Sequence, residues 1–353
     1  MPYGTPVISK LNQQAPRLFL QWPVTLPFEM LPMRVALSVL LLASALSACT
    51  PAPVSTANSA EAPAPASAIA WRQGDVDDAF AEAADSGKPV LLYWGAVWCP
   101  PCNQLKAGLF KDPAFIALTS KFVPVYLDGD EEGAQAWGER FGVRGYPTLI
   151  VLDPQRNEIT RVAGGNDAAE LTRALTVAAG RRSAVAATLA TALATPGRLA
   201  AEDWQVLADY GWEVDANRLA GERRSQDVLR QLSKAAPDAA LQRRFALLAL
   251  ATAEKPDASP TEVRELLQAV LAQPAEVRRN RELLGYAGVQ LVKQASAGPA
   301  TSNTLGQQLL VALERADAER GDRADDALSR ALTEVSLARQ QQPKGELLSL
   351  IHI

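Results

Sequence analysis

The chain has 353 residues, of which 48% are apolar and 21% charged, and its formal net charge is −4. That length holds two ordinary domains or one large one with a sizeable core, and the composition excludes both a disordered polyelectrolyte and a protein of many membrane spans. There is no basic excess to neutralise phosphates, so no nucleic-acid partner is expected.

In chain order, Met33-Arg34 precedes the apolar run Val35–Ala48. The run is shorter than the about 20 residues a bilayer span needs. A basic start, a short apolar core and small residues before a cut read instead as a secretory signal, preferred over an uncleaved anchor or a buried helix. Leu46-Ser47-Ala48-Cys49 resembles the lipobox of bacterial lipoproteins. That resemblance implies a diacylglycerol thioether on Cys49, a periplasmic site and, with Thr50 following, the outer membrane. Two acyl chains suffice for stable anchoring. Residues 1–32 carry six prolines and no signal of their own, which leaves Met30 and Met33 open as starts. Residues 50–70 are mostly Pro, Ala and Ser and read as a tether reaching up to roughly 60 Å. The divisions are therefore 1–48 for the signal region and 49–70 for the lipidated cysteine with its tether.

Asp75 is placed to cap a helix over 76–86, with Val76, Phe80 and Ala83 or Ala84 on one face and Gly87 as its stop. Val90–Trp94 is a continuous apolar run of strand length, the pattern of a central strand covered on both faces. Trp98-Cys99-Pro100-Pro101-Cys102 then leads into a helix to about Gly108. A second short helix fits 113–121 with Pro113 in its first turn, followed by a strand over 122–127 and a helix over 131–141. Beyond Gly142–Pro147 come strands 148–152 and 158–162, joined by a turn through Asp153-Pro154 and Arg156-Asn157, and Asp167 can cap a last helix to about Ala179. This order predicts an α/β sandwich around a small mixed sheet over residues 71–180.

Cysteine occurs three times, at 49, 99 and 102, and histidine once, at 352. These are too few for a four-ligand structural zinc site, and no metal or cofactor is expected beyond the dithiol itself. A cysteine at the start of a helix faces unpaired N–H groups and the positive end of the helix dipole, which stabilise its thiolate. With two residues between them, Cys102 lies one turn along, within reach of a mixed disulfide on Cys99. A more buried Cys102 stays protonated and acts as the resolving thiol. The alternatives are a structural disulfide, which closes too small a loop to stabilise much, and a pair of inert buried thiols.

WCPPC at 98–102 and GVRGYPT at 142–148, behind an apolar strand, resemble the thioredoxin superfamily over residues 71–180. The resemblance implies a cis Pro147 facing the dithiol and a substrate groove formed by Trp98, Pro100, Pro101, Tyr146, Pro147 and Thr148. Trp98 is expected at the groove's rim and Trp94 in the core. The sequence departs from ordinary thioredoxin where the family's buried acid falls on Tyr93 and its lysine partner near Pro124. Phe110–Pro113 and Phe122–Val125 look more like the branch found in periplasmic electron-relay reductase domains. A reductase or relay role is therefore favoured over an oxidase. Its partners would be a cysteine-containing client protein and an external redox donor.

From Arg181 onward, Ala and Leu dominate and seven prolines punctuate helix-length pieces. Helices are expected at 181–195, 201–210, 224–235, 238–253, 261–272, 275–295, 303–320 and 324–341. Val228, Leu229 and Leu232 form one apolar face, and Leu328, Leu332 and Val335 another. An all-helical bundle or helical-hairpin solenoid over 181–342 follows, with a tail at 343–353. Residues 201–214 and 325–338 faintly resemble tetratricopeptide helices, although the full 34-residue pattern is not met. Arg243-Arg244, Arg278-Arg279-Arg281 and the acids Asp322, Asp325 and Asp326 read as solvated faces. The second functional hypothesis is a helical-repeat adaptor or chaperone-like binding protein with an auxiliary dithiol.

Overall fold

The computed structural model describes residues 68–163, 168–253, 257–296, 299–319 and 324–341. The signal region, Cys49, most of the tether, Asp167, His352 and the tail from 343 lie outside the described residues. The chain divides into units 1–61 and 62–353, and every described residue belongs to the second. Among the described residues no helix is long and apolar enough to cross a membrane.

The first part runs β1 (Arg72–Gln73), α1 (Val76–Ser86), β2 (Val90–Gly95), α2 (Pro100–Ala107), α3 (Pro113–Thr119), β3 (Val123–Asp128), α4 (Glu132–Phe141), β4 (Thr148–Leu152), β5 (Glu158–Ala163) and α5 (Ala168–Ala179). The capping signals act as expected. Asp75 accepts from the Asp78 N–H at 3.2 Å, and Gly87 ends α1 in the left-handed region at φ 68°. The sheet has the order β1-β3-β2-β4-β5, with β1, β3 and β2 parallel and β4 and β5 antiparallel to their neighbours. The two-residue β1 has no expectation to match, being too short to show a period.

β2 explains its own continuous apolar run. Val90, Leu92 and Trp94 pack under Val76 and Phe80 of α1 and Phe141 of α4. Leu91 and Tyr93 face Leu105 of α2, Phe115 of α3 and Leu175 of α5. The strand is buried on both sides. Trp94 is a core residue, its indole N–H donating to the Ala134 carbonyl at 3.0 Å.

The second part is wholly helical, as expected: α6 (Val185–Ala194), α7 (Ala201–Ala208), α8 (Trp212–Ala220), α9 (Ser225–Ala235), α10 (Ala239–Ala251), α11 (Pro260–Leu271), α12 (Pro274–Arg279), α13 (Arg281–Ala295), α14 (Pro299–Glu319) and α15 (Ala324–Gln341). The helical part departs from the expectation most at three places. The helix expected from 181 begins at Val185, because Arg181 turns inward to Asp203 and Thr188. The helix expected over 275–295 breaks at Asn280, whose side chain donates to the Glu276 carbonyl and accepts from Arg244. Helix α8, unexpected, lies between Gly211 and Gly221, the latter at φ 65°.

Val228, Leu229 and Leu232 are buried as expected. The face of Leu328, Leu332 and Val335 is not: it turns outward, at 59%, 59% and 49% exposure. Helix α15 presents Asp326, Thr333 and Leu337 inward instead. The cause is ionic. Arg281 is 1% exposed and donates to the fully buried Asp317, which also accepts from Arg330 of α15, while the Asp326 carbonyl accepts from Arg281. Arg281, Arg244 and Asp326 are thus buried and paired, not solvated, because their partners come from other helices.

The helical part covers the free edge of β5. The Gly211 N–H donates to the Arg161 carbonyl at 2.9 Å, Arg218 reaches Glu158, and Arg173 of α5 holds Asp209. An edge strand that would otherwise expose unpaired backbone groups is closed in this way.

Candidate redox site

β2 ends at Gly95, and the turn Ala96–Trp98 delivers Cys99 to the N-cap of α2 at φ −85°, ψ 108°. Cys99 and Cys102 form a disulfide with Cα atoms 5.3 Å apart. Cys99 Sγ takes the capping role, accepting from the Cys102 N–H at 3.3 Å. Pro100 and Pro101 occupy the two intervening positions and have no N–H. The first helical donor available to the sulfur is therefore that of Cys102, and its pull is reinforced by the helix dipole.

Both cysteines are nearly covered, Cys99 at 3% and Cys102 at 0% exposure, and they pack with Ala96 and Tyr146. Around them Val97 and Trp98 stand out, at 68% and 64% exposure. Pro100 is exposed, Pro101 half-buried, and Pro147 and Thr148 buried. The Tyr146–Pro147 peptide is cis. The Thr148 hydroxyl donates to the Gly145 carbonyl at 2.7 Å. Trp98 and Tyr146 have ring centroids 6.0 Å apart.

Two residues escaped the sequence reading. Asp130 accepts from the Trp98 indole N–H at 2.9 Å, holding the exposed ring in place. The Gly129 carbonyl accepts from the Tyr146 hydroxyl at 3.3 Å, and a Cβ at 129 would sit 2.2 Å from the Tyr146 ring, so any larger residue would push that ring aside. The available signal was the turn-prone Asp128-Gly129-Asp130 at the exit of β3. Parallel pairing sets Asp128 beside Gly95, and the Gly129 N–H donates to the Gly95 carbonyl.

Tyr93, at the position of the family's acid, is fully buried, and its hydroxyl has no hydrogen-bond partner among the described residues. Burial, with Tyr126 nearby, pushes its ionisation well above the ordinary phenol range, so at neutral pH it carries no charge and serves as no base. Lys106, one turn past Cys102 on α2, donates to the Tyr126 hydroxyl at 3.2 Å. Burial, together with Asp130 and Asp128, also raises Tyr146.

The family described as "Thioredoxin-like domain" matches residues 76–179. Thiol:disulfide interchange protein DsbD 1 of Pseudomonas aeruginosa is 34% identical over 111 residues, which is 30% of this chain and 19% of that protein. Thioredoxin H5 of Oryza sativa subsp. japonica is 30% identical over 95 residues, 27% of this chain and 65% of that one. A thioredoxin solution structure from Thermus thermophilus aligns with 28% identity and a TM-score of 0.28, covering 31% of this chain and 86% of that one. The chain thus spans less than two thirds of the length of either sequence relative.

Proposed function

We propose that the chain is a protein thiol–disulfide oxidoreductase acting through Cys99 and Cys102. The observation that carries the reading is a disulfide whose first sulfur caps a helix beside a cis proline loop. In the reductive direction the Cys99 thiolate attacks a client disulfide, forms a mixed disulfide and expels one client thiolate. Cys102, losing its proton, attacks Cys99 Sγ, closes the intramolecular disulfide and releases the second client thiolate. Two electrons pass to the client, so an external dithiol must reduce the pair again. Trp98, Pro100, Pro101, Tyr146, Pro147 and Thr148 line the groove in this reading, and the exposed Trp98 supports it.

The remaining expectations join the same proposal. Residues 71–180 carry the chemistry and 181–342 form a helical part, for which packing of α9 on α10 and α14 on α15 supports a tetratricopeptide-like reading. A signal over 1–48, lipid on Cys49 and a tether to residue 70 would hold the protein at the periplasmic face of the outer membrane, a placement supported by the apolar run Val35–Ala48 and the Leu46-Ser47-Ala48-Cys49 stretch.

Trapping tests the chemistry. Cys102→Ala should accumulate disulfide-linked clients through Cys99, visible as bands that vanish on reduction, and Cys99→Ala should accumulate none. An adaptor would retain the same clients with both cysteines replaced. The reduction potential sets the direction: about −270 mV marks a reductant and about −120 mV an oxidant.

A further inference from the structure

Tyr93 is 0% exposed, and its hydroxyl has no hydrogen-bond partner among the described residues. An unpaired hydroxyl in a dry interior is costly, and native chains keep few of them.

The direction of the ring is fixed by its neighbours. Tyr93 and Gly95 lie two residues apart on β2 and so share one face of the sheet. A Cβ built at Gly95 would stand 2.6 Å from the Tyr93 oxygen. The ring therefore runs along the strand, and its oxygen ends over Gly95, toward the C-terminal end of β2. The disulfide lies at that end, where Ala96 packs on Cys99 and Cys102. From there α2 runs back over the same face, and its Leu105 packs with Leu91 and Tyr93. Cys102 is the other buried side chain of α2, one turn nearer the end to which the oxygen points.

The other titratable groups around Cys102 have partners. Tyr126 pairs with Tyr93 from β3, its ring centroid 5.5 Å away, and its hydroxyl accepts from Lys106 and donates to Asp128. Lys106 itself lies one turn past Cys102 on α2. Tyr146, from the cis-proline loop, donates to the Gly129 carbonyl, and Asp130 accepts from Trp98. Cys99 Sγ accepts from the Cys102 N–H. Tyr93 remains, and burial keeps its proton on the oxygen, so it acts as a donor. A sulfur anion is the acceptor such a donor suits, since a charge-assisted hydrogen bond is stronger than a neutral one and stronger again away from water. In the oxidised chain Cys102 Sγ is tied to Cys99 and carries no charge.

We propose that the Tyr93 hydroxyl is the hydrogen-bond donor that stabilises the Cys102 thiolate, both in the reduced protein and in the mixed disulfide with a client. This deepens the exchange reading of Cys99 and Cys102, and its client step rests on that reading. In that step the Cys102 thiol gives its proton to water, while Tyr93 keeps its own and donates to the sulfur anion. The anion attacks Cys99 Sγ and forms the intramolecular bond. The bond between Cys99 and the client sulfur breaks, and the client leaves as a thiolate with the electron pair. Once the disulfide closes, the hydroxyl has lost its acceptor.

Tyr93→Phe removes the oxygen and keeps the ring. In the reduced full chain, NMR of isotope-labelled cysteine Cβ atoms follows Cys102 apart from Cys99 and Cys49. The Cys102 midpoint should lie about one pH unit higher in Tyr93→Phe than in the wild type, a tenfold loss of thiolate at neutral pH. Release of glutathione from its mixed disulfide with Cys99 should slow about threefold, because a thiol of higher pKa is the stronger nucleophile and regains part of the loss. Oxidised Tyr93→Phe should unfold in urea no earlier than the wild type, since the substitution removes an unpaired hydroxyl. An unmoved Cys102 midpoint overturns the proposal. So does an oxidised variant that unfolds earlier or fails to fold, which would give the hydroxyl a structural partner. Reduction of bis(2-hydroxyethyl) disulfide by the wild-type dithiol separately tests the exchange reading. If that reduction fails while the midpoint moves, the hydrogen bond stands and the redox role falls.

Discussion

A carboxyl buried beside both signs of charge titrates far from its solution range, and Glu170 is that case. Burial lifts it from 4.5 to about 7, against Arg244 and with the help of Asp209 and Glu213. The folded chain therefore holds this proton more tightly than the unfolded chain does. The stability the group contributes is fully present below about pH 4.5 and is lost as pH rises through 7. Asp209 has the opposite sign. Burial acts to raise it, but Arg279 and Arg173 outweigh burial and hold it below its ordinary value, so its contribution is lost as pH falls through that lowered value. The unfolding free energy from urea titrations should fall by about 2 kcal/mol between about pH 5 and pH 7, and Glu170→Gln should flatten that slope. A wild-type midpoint that rises over this interval would contradict the assignment. Gly129 works by absence: its missing Cβ lets the Tyr146 ring, which packs on the cysteines, lie over the loop whose Asp130 holds Trp98.

At the scale of the element, α2 sets the chemistry of its own first turn. Successive prolines remove the N–H groups that an N-cap sulfur could otherwise use, leaving it the donor of Cys102. Pro101→Ala should add a donor at the second helical position, where N-cap side chains are ordinarily received. A charge-assisted hydrogen bond of about 1.5–3 kcal/mol would lower the Cys99 pKa by about one to two units. Thiolate absorbance near 240 nm, followed against pH in the reduced protein, measures it. An unchanged midpoint would mean the new N–H does not reach the sulfur. Helix α15 makes a different point, since its rotation follows ionic partners on α13 and α14 rather than its own apolar stripe.

For the whole molecule, burial of charge ties the parts together. Arg281→Ala leaves Asp317 in the interior with Arg330 as its remaining cation among the described residues, and breaking such a pair costs about 3 kcal/mol. The sheet and the helices join through Gly211 on β5 and through Arg173 on Asp209, so the loss should not stay local. Urea unfolding of this variant, followed by far-UV dichroism and by exposure of the cysteines in the reduced protein, should show one transition displaced for both probes. A cysteine signal that keeps its wild-type midpoint would show two independently folding parts.

The sequence by itself determined what local chemistry dictates. The stop and start of α1 at Asp75 and Gly87, the doubly buried run of β2, the cysteine pair at a helix start and the alternation of α/β and helical parts all depend on residues within a turn or two of one another. Tertiary structure decided what residues far apart in the chain do to each other. Asp130 finds Trp98 across 32 positions, and Arg281 finds Asp317 across 36. Neither partner leaves a periodic trace, because a single charged residue has the same appearance in sequence whether it ends in water or against an opposite charge. The outward face of α15 follows from the second of those pairs, because Arg330 and the Asp326 carbonyl of that helix join it.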